Sequence, residues 1–448
     1  MRSRRLDTAS DWVPTALGAF LVELFDHRGR TPKKLGGDFA AGGVPVVSAK
    51  NVRDGELYLD RDVRFVSPEM YAAWMPRKLR EGDVLLTSEA PLGEVAYLRS
   101  SAPICLGQRL FGLRPDASRA DGRFLYYSLR SKVVQHRLRA RQTGTTAEGI
   151  RQAELVKVEI DLPPLPTQRA IARILGSIDD KIALNRRMNR TLEQIAEALF
   201  KSWFVNFDPV RAKADGRWKK GESLPGMPAD MWDLWPSELE ESEIGEIPKG
   251  WKPTSLTEIA SLLTGGTPST AEPAYWDGGI PWVSGKDVSA AKGGFIIQTE
   301  RTITHEGIEN SATILLPART VVITARGTVG AVGVLASDMC ISQTNYGLKA
   351  SDGVGDNLLL FTVRNAIDQL QQSSYGTIFD TITTRNLQGT IVVLPPEPLR
   401  SEFEMRTHPL MERVLLNMRE ERTLASTRDA LLPKLLSGEI RVPVGGGT

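Results

Sequence analysis

Seven phrases recur in the same order in the two halves of this chain, and no other feature of the sequence constrains the fold as strongly. WVPTAL from Trp12 returns as WKPTSL from Trp251, and Thr31–Pro32 returns as Thr267–Pro268. GVPVVSAKNV from Gly43 returns as GIPWVSGKDV from Gly279, and GDVLLTSEAPLGEVA from Gly82 as RTVVITARGTVGAVG from Arg319. TGTT at Thr143–Thr146 lies opposite YGTI at Tyr375–Ile378, and IDLPPLP from Ile160 opposite VVLPPEP from Val392. LNRRMNRTLEQIAEAL from Leu184 lies opposite LNMREERTLASTRDAL from Leu416. The two cysteines obey the same rule: Cys105 stands one apolar residue before GQRLFGLRP, and Cys340 one before SQTNYGLKA. The offset drifts only from 239 to 232 residues, so the copies are collinear with few insertions. Self-similarity of this kind is the mark of a tandem duplication.

Each copy has the same internal plan. Residues 12–165 and 251–396 carry short β-branched runs (VPVVS, DVLLTS, TVVITA, KVEIDL) punctuated by Gly- and Pro-rich turns, which predicts a β-rich domain with a few helices. After each LPP the period changes. Ile171, Leu175, Ile178, Ile182, Leu192 and Leu199 recur at spacings of three, four and their sums, which predicts one long amphipathic helix. Leu410, Val414, Leu424 and Leu431 predict its counterpart, with Pro433 expected to kink the last turns before a stop at Gly438. Asn185 and Asn417 are equivalent and fall in the apolar seams. They either fix register inside a helix pair or sit solvated at its edge; both readings stand at this point. Two matched stripes most simply pack on each other, and the connection through 208–250 favours an antiparallel pair. That connection is acidic and Pro/Gly-rich, yet Trp232, Trp235 and Leu239 predict that it packs on the helices rather than acting as a disordered tether.

Composition limits the function. The chain of 448 residues is 41% hydrophobic and 25% charged, enough for two or three ordinary cores. No apolar run approaches the ~18 residues of a membrane span. The opening MRSRRLDTAS is basic without an apolar core, so no secretory signal is read and the cytoplasm is expected. Two cysteines and four histidines make neither a disulfide framework nor a zinc site, and no metal is expected. Net charge is only +2, but its distribution is uneven. Residues 1–150 hold 24 Lys/Arg against 17 Asp/Glu, a footprint suited to a polyanion. Residues 208–250 hold 6 against 10 and residues 251–390 hold 9 against 12, so the second half can meet a polyanion only if its cations gather on one face.

A β-rich domain, LPP, a long helix and then the same again resembles the specificity subunit of type I restriction–modification enzymes. The stretches LPPLPTQRAIARILGSIDDKI, IGEIPKGW and LLPKLLSGEIRV carry the resemblance, which covers nearly the whole chain. LPPEPLRSEFE in the second copy departs from it, lacking the Gln that the family usually keeps soon after the prolines. The resemblance implies an α+β fold. Two tandem β-rich target recognition domains (1–165 and 251–396) are each followed by a long spacer helix (166–207 and 397–438), with a linker at 208–250 and a tail at 439–448. The two helices pair as an antiparallel coiled coil with pseudo-twofold symmetry. It also implies a non-catalytic role: each domain reads one half of an asymmetric, bipartite site in double-stranded DNA, and the helices set the gap. The implied partners are two methyltransferase subunits and restriction/translocase subunits, with no membrane. They would supply the chemistry with S-adenosylmethionine, ATP and Mg, and this chain would hold no cofactor of its own.

The residues agree that chemistry lies elsewhere. There is no GxxxxGK[ST] and no Gly-rich strand–turn–helix entrance for a nucleotide cofactor. NFDPV at 206–210 reads as a helix end, and the spaced glycines from Gly327 to Gly333 read as a tight turn. His27, His136, His305 and His408 lack neighbours at ligand spacing, and no catalytic residue is assigned. DNA readers need donors for phosphate and two-pronged side chains for base edges. Loop positions at corresponding places supply them: Lys50, Asn51, Arg53, Ser88, Glu89, Gln108, Arg109 and Thr145 in the first copy, and Lys286, Asp287, Arg326, Thr328, Gln343, Thr344, Asn345 and Thr377 in the second. Gln108 and Gln343 could instead only cap a turn. Two rival readings remain: a duplicated protein-interaction scaffold that never touches DNA, and an enzyme with an unrecognised nuclease site.

Overall fold

Strand Val84–Thr87 has no exposed residue, and its two faces serve two different cores. Val84 and Leu86 pack into a cluster with the helix Gly122–Arg130, while Leu85 between them packs into a second cluster with Val47, Trp74 and Leu106. Side chains alternate across a strand, so one strand buried on both faces must lie in a middle layer. The computed structural model describes residues 12–59, 62–143, 148–291, 294–373 and 381–443. It divides into two units, one of residues 1–182 with 423–448 and the other of residues 183–422.

In the first unit the middle layer is a four-stranded antiparallel sheet, ordered Leu21–Asp26, Leu110–Pro115, Val84–Thr87, Val95–Tyr97. Beside it lies a small sheet in which Val44–Val47 runs antiparallel to Arg64–Val66 and parallel to Cys105–Leu106. The second unit repeats this plan. Ala260–Thr264, Asn345–Ala350, Val321–Thr324 and Val332–Leu335 form the antiparallel part of one sheet, extended by Phe295–Ile296. Trp276–Val283 pairs with Arg301–Ile303 on one side and with Met339–Ile341 on the other. In both units the incoming and outgoing strands close the domain as an antiparallel pair, Val13 opposite Leu162 and Lys252 opposite Leu394. The spaced glycines from Gly327 turn a hairpin, with Gly327 and Gly330 in the left-handed region that favours glycine.

The long helices span Leu165–Phe204 and Glu397–Leu436. Each carries Pro in its first turn (Pro166, Pro398), where a missing N–H breaks nothing. At ~1.5 Å per residue each is about 60 Å long. The second runs on through Pro433 and stops at Gly438 in the left-handed conformation. Gln168 explains the Gln after the prolines: its Oε1 accepts from Asp121 N at 3.0 Å, and its Nε2 donates to Pro163 O at 2.8 Å. This amide ties the helix start to the first domain. The second copy has Arg400 at that place and uses Glu404 one turn later, whose Oε1 accepts from Leu358 N at 2.8 Å.

Within each unit the two helices run antiparallel. In the second unit Asn417 Nδ2 donates to Asn189 Oδ1 at 2.8 Å and Asn185 Nδ2 to Glu420 Oε2 at 2.7 Å. Asn185 and Asn417 are 0% and 2% exposed, so they lie inside the seam and bond across it. Val414 is buried there, with Leu192, Leu199 and Leu410 packed at its border. In the first unit Arg428 Nη1 donates to Asp179 Oδ1 at 2.9 Å, and Ile171 and Leu175 share a core with Leu431 and Leu435. Ile182 is buried, while Ile178 and Leu424 are half-buried. The linker packs: Trp235 lies 5.5 Å from Trp203 and 5.8 Å from Trp251, ring centre to ring centre. NFDPV ends the helix, with Phe207 left-handed and Pro209 in the first turn of a short helix, Asp208–Ala214. No helix among the described residues is long and apolar enough to cross a membrane.

Candidate nucleic-acid interface

Three connections from two sheets meet at one edge of the first domain: 48–51 after Val47, 88–94 after Thr87, and 107–109 after Leu106. Backbone bonds knit them. Gly107 N donates to Val47 O at 2.7 Å, Ser88 N to Arg109 O at 2.9 Å and Ile150 N to Ser88 O at 2.9 Å. The second domain repeats the knot, with Ser342 N on Val283 O at 2.9 Å, Ala325 N on Thr344 O at 2.8 Å and Ile382 N on Ala325 O at 3.0 Å. The repeated phrases of the sequence are therefore the strand ends and loops of one edge, built twice.

Most candidates come together on these edges, but three are buried and a fourth is engaged in its own turn. Asn51 is 1% exposed. Its Oδ1 accepts from Ser48 N at 2.9 Å and its Nδ2 donates to Tyr58 O at 3.2 Å, so it holds the turn and is no reader. Asp287, its counterpart, accepts from Ser284 N at 2.8 Å, Ser284 Oγ at 2.6 Å and Glu300 N at 2.9 Å, which occupies both carboxylate oxygens. Ser88 and Asn345 are buried, and Asn345 donates inward to Val283 O at 3.0 Å. Asn51, Ser88 and Asn345 are buried and cannot reach a base, and the half-buried Asp287 has its carboxylate engaged in its own turn, so these four are corrected to structural positions. Thr145 and Thr377 lie outside the described residues.

The remaining candidates face outward. Lys50 and Arg53 are exposed, the latter 5.1 Å over the Tyr58 ring. Arg109 Nε sits 3.0 Å from Glu89 Oε1, with 56% of the arginine side chain still exposed. Gln108 is exposed, but its amide is tied at both ends: Oε1 accepts from Gly29 N at 3.1 Å and Nε2 donates to Arg30 O at 2.7 Å. It thus staples the segment bearing Arg30, Lys33 and Lys34 to this edge. Gln343 has no such tie among the described residues, so the two glutamines play different parts. Thr344 Oγ1 lies 2.8 Å from Ser342 Oγ.

In the second domain an open cleft of about 390 Å³ brings together Lys286, Arg326 and Thr328 with a residue the sequence reading missed, Arg301. The Arg301 guanidinium lies 3.3 Å over the Trp276 ring. The first domain has the same device, Arg64 at 4.8 Å over Phe39. The strand registers match, Val46 opposite Arg64 and Trp282 opposite Arg301. The signal was present as RFVS from Arg64 against RTIT from Arg301, inside the offset of the repeat. Asp287 and Glu300 line the same cleft, so its three cations exceed its carboxylates by one. Cys105 and Cys340 are buried with thiols pushed up by burial to about 12 and about 11, which keeps them protonated. Among the described residues no group of His, Cys, Asp and Glu could hold a metal ion.

An α+β domain built twice, each copy offering a loop edge with outward-facing arginines and each packed on a stretch of two antiparallel helices, presents the kind of donors that a nucleic-acid reader needs. The model of the type I restriction modification DNA specificity domain matches residues 10–194 and 248–398, and the chain belongs to that family. It is 26% identical over 434 residues to the type I restriction enzyme MjaIX specificity subunit of Methanocaldococcus jannaschii, covering 92% of this chain and 90% of that one. It is also 26% identical to the HindI specificity subunit of Haemophilus influenzae, over 81% of this chain and 88% of that one. A crystal structure of a type I system S subunit from M. genitalium shares the fold with a TM-score of 0.59 at 14% identity, over 97% of both chains.

Proposed function

We propose that this chain is the specificity subunit of a type I restriction–modification complex. Its first domain reads one half of a split, asymmetric DNA site, its second reads the other, and the helix pair sets the gap. The observation that carries this reading is one frame built twice with unlike edges. The strand registers and loop knots match, whereas Glu89 is replaced by Arg326 and Arg109 by Thr344. Membership of a DNA specificity family gives the chain a recognition role, and catalysis belongs to partner methyltransferase and restriction subunits. Two methyltransferase subunits, one for each half, and motor–nuclease subunits joined to them complete the proposed assembly. S-adenosylmethionine, ATP and Mg are theirs, and the flipped adenine enters their pocket. The proposed location is the cytoplasm, where its DNA lies. The match to a DNA specificity domain in both halves favours this reading over a scaffold that binds only proteins.

Sequencing of genomic DNA for modified adenines tests this, in cells expressing the methyltransferase with and without this chain. The expected result is a split, asymmetric motif that vanishes with the chain. Identical methylomes would overturn the reading.

A further inference from the structure

The duplication supplies an internal comparison that a single domain would not. A phosphate looks the same along the whole duplex, so a contact to it can be kept in both copies; a contact to a base must change if the two half-sites differ. Sorting the outward residues of the two edges by this rule gives two groups. Lys50 and Lys286 occupy one equivalent place, and Arg64 and Arg301 another, where each guanidinium lies over an aromatic ring beside its edge. Glu89 and Arg109 form the other group. Their counterparts are Arg326, which has no acidic partner among the described residues, and Thr344, whose hydroxyl meets Ser342 Oγ at 2.8 Å.

The pair at 89 and 109 has a geometry suited to one task. Glu89 holds Arg109 through Nε at 3.0 Å, which leaves the two Nη groups free of that contact. Residue 109 stands at φ +62°, a left-handed conformation rare for arginine, and its carbonyl is fixed by Ser88 N. Such strain at an exposed, otherwise ordinary loop position needs a reason. The carboxylate also cancels the charge of the guanidinium. A cancelled charge is of little use against phosphates, which repel Glu89, but two aimed donors remain. Two parallel donors match O6 and N7 of guanine in the major groove.

We propose that the edges divide their labour: Arg64 and Arg301, with Lys50 and Lys286, grip phosphates alike in both domains, while Arg109, aimed by Glu89, reads a guanine in the first half-site only. This rests on the specificity-subunit reading. The test uses the full chain assembled with its methyltransferase, reading the methylated motif and DNA affinity against salt. Arg109→Ala should weaken the preference for one guanine roughly 5- to 150-fold, leaving the second half-site unchanged. Arg109→Gly should do the same while relieving the backbone, which separates lost reading from lost folding. Arg109→Lys keeps the charge without the fork and should also relax that position. Arg64→Ala with Arg301→Ala should leave the motif intact, lower affinity, and flatten the salt slope by about 0.9 for each phosphate no longer neutralised. If the wild-type motif depends on the chain but survives Arg109→Ala or is fully restored by Arg109→Lys, the division is wrong and the broader reading stands. A base change caused by Arg64→Ala or Arg301→Ala would overturn it equally. If the wild-type motif does not depend on the chain, the broader reading itself fails.

Discussion

Each unit holds its own stretch of the two long helices together, and the two stretches use different chemistry. In the first, a charge lock holds them: Asp179, 5% exposed, accepts from Arg428 Nη1 at 2.9 Å and from the Tyr127 hydroxyl at 2.6 Å. In the second, Phe403 meets Phe204 at 5.2 Å and Phe200 at 6.1 Å, centre to centre, with Phe361 and Trp203 beside them. The neighbouring seam is bridged by the buried Asn189–Asn417 amides. Charge locks tolerate little misplacement, because an unpaired buried ion is costly, whereas aromatic packing tolerates small shifts. Duplication has therefore preserved the helix pairing while its two versions drifted to different solutions.

Five variants press on this contrast. Phe403→Ala opens the aromatic cluster and should cost about 3–5 kcal/mol, read as a lower urea midpoint for the second unit by hydrogen exchange. Arg428→Met strands Asp179 and should cost about 3–5 kcal/mol in the first unit. Adding Asp179→Leu should recover most of that loss, and a double-mutant cycle showing none would refute the lock. Acidity should act on the second unit. Burial pushes the Glu193 carboxyl up to about 7, with Arg364 opposing and Glu197 assisting. Its folded state then binds a proton more tightly than the unfolded chain, so stability falls as pH rises through about 7. The gain between pH 8 and pH 5.5 should be about 2 kcal/mol, and Glu193→Gln should flatten the curve. The smallest effect is expected at Arg186, whose ion pair with Glu421 at 3.1 Å is half-exposed. Arg186→Ala should cost less than about 1 kcal/mol, and a larger loss would place part of the seam's stability at its rim.

The frame was legible in the sequence because periodicity is local. Ile171, Leu175 and Val414 announce a helix face wherever its partner lies, and the repeat identifies equivalent loops without a structure. The edge was only partly legible. Asn51 and Asp287 looked like readers because polar loop residues do, yet SAKN and SGKD have the Ser-x-x-acceptor spacing of a capping box, a sign that they turn inward. Arg64 and Arg301 were missed because stacking on Phe39 and Trp276 joins residues far apart in sequence, and neither arginine lies in a glycine-rich turn. The ties between Gln108 and residues 29 and 30 span 79 and 78 positions and have no local signature.

The antiparallel pairing of Val13–Ala16 with Glu159–Leu162, and of Lys252–Ser255 with Ile391–Leu394, has a consequence for inheritance. Each domain begins and ends at neighbouring points of the same two-stranded ribbon. A foreign stretch cut at those ribbons could enter as a cassette with both seams already matched, leaving the helices on which it is mounted untouched. A chain so arranged can acquire a new word by one genetic crossover at each seam, rather than by slow revision of its letters.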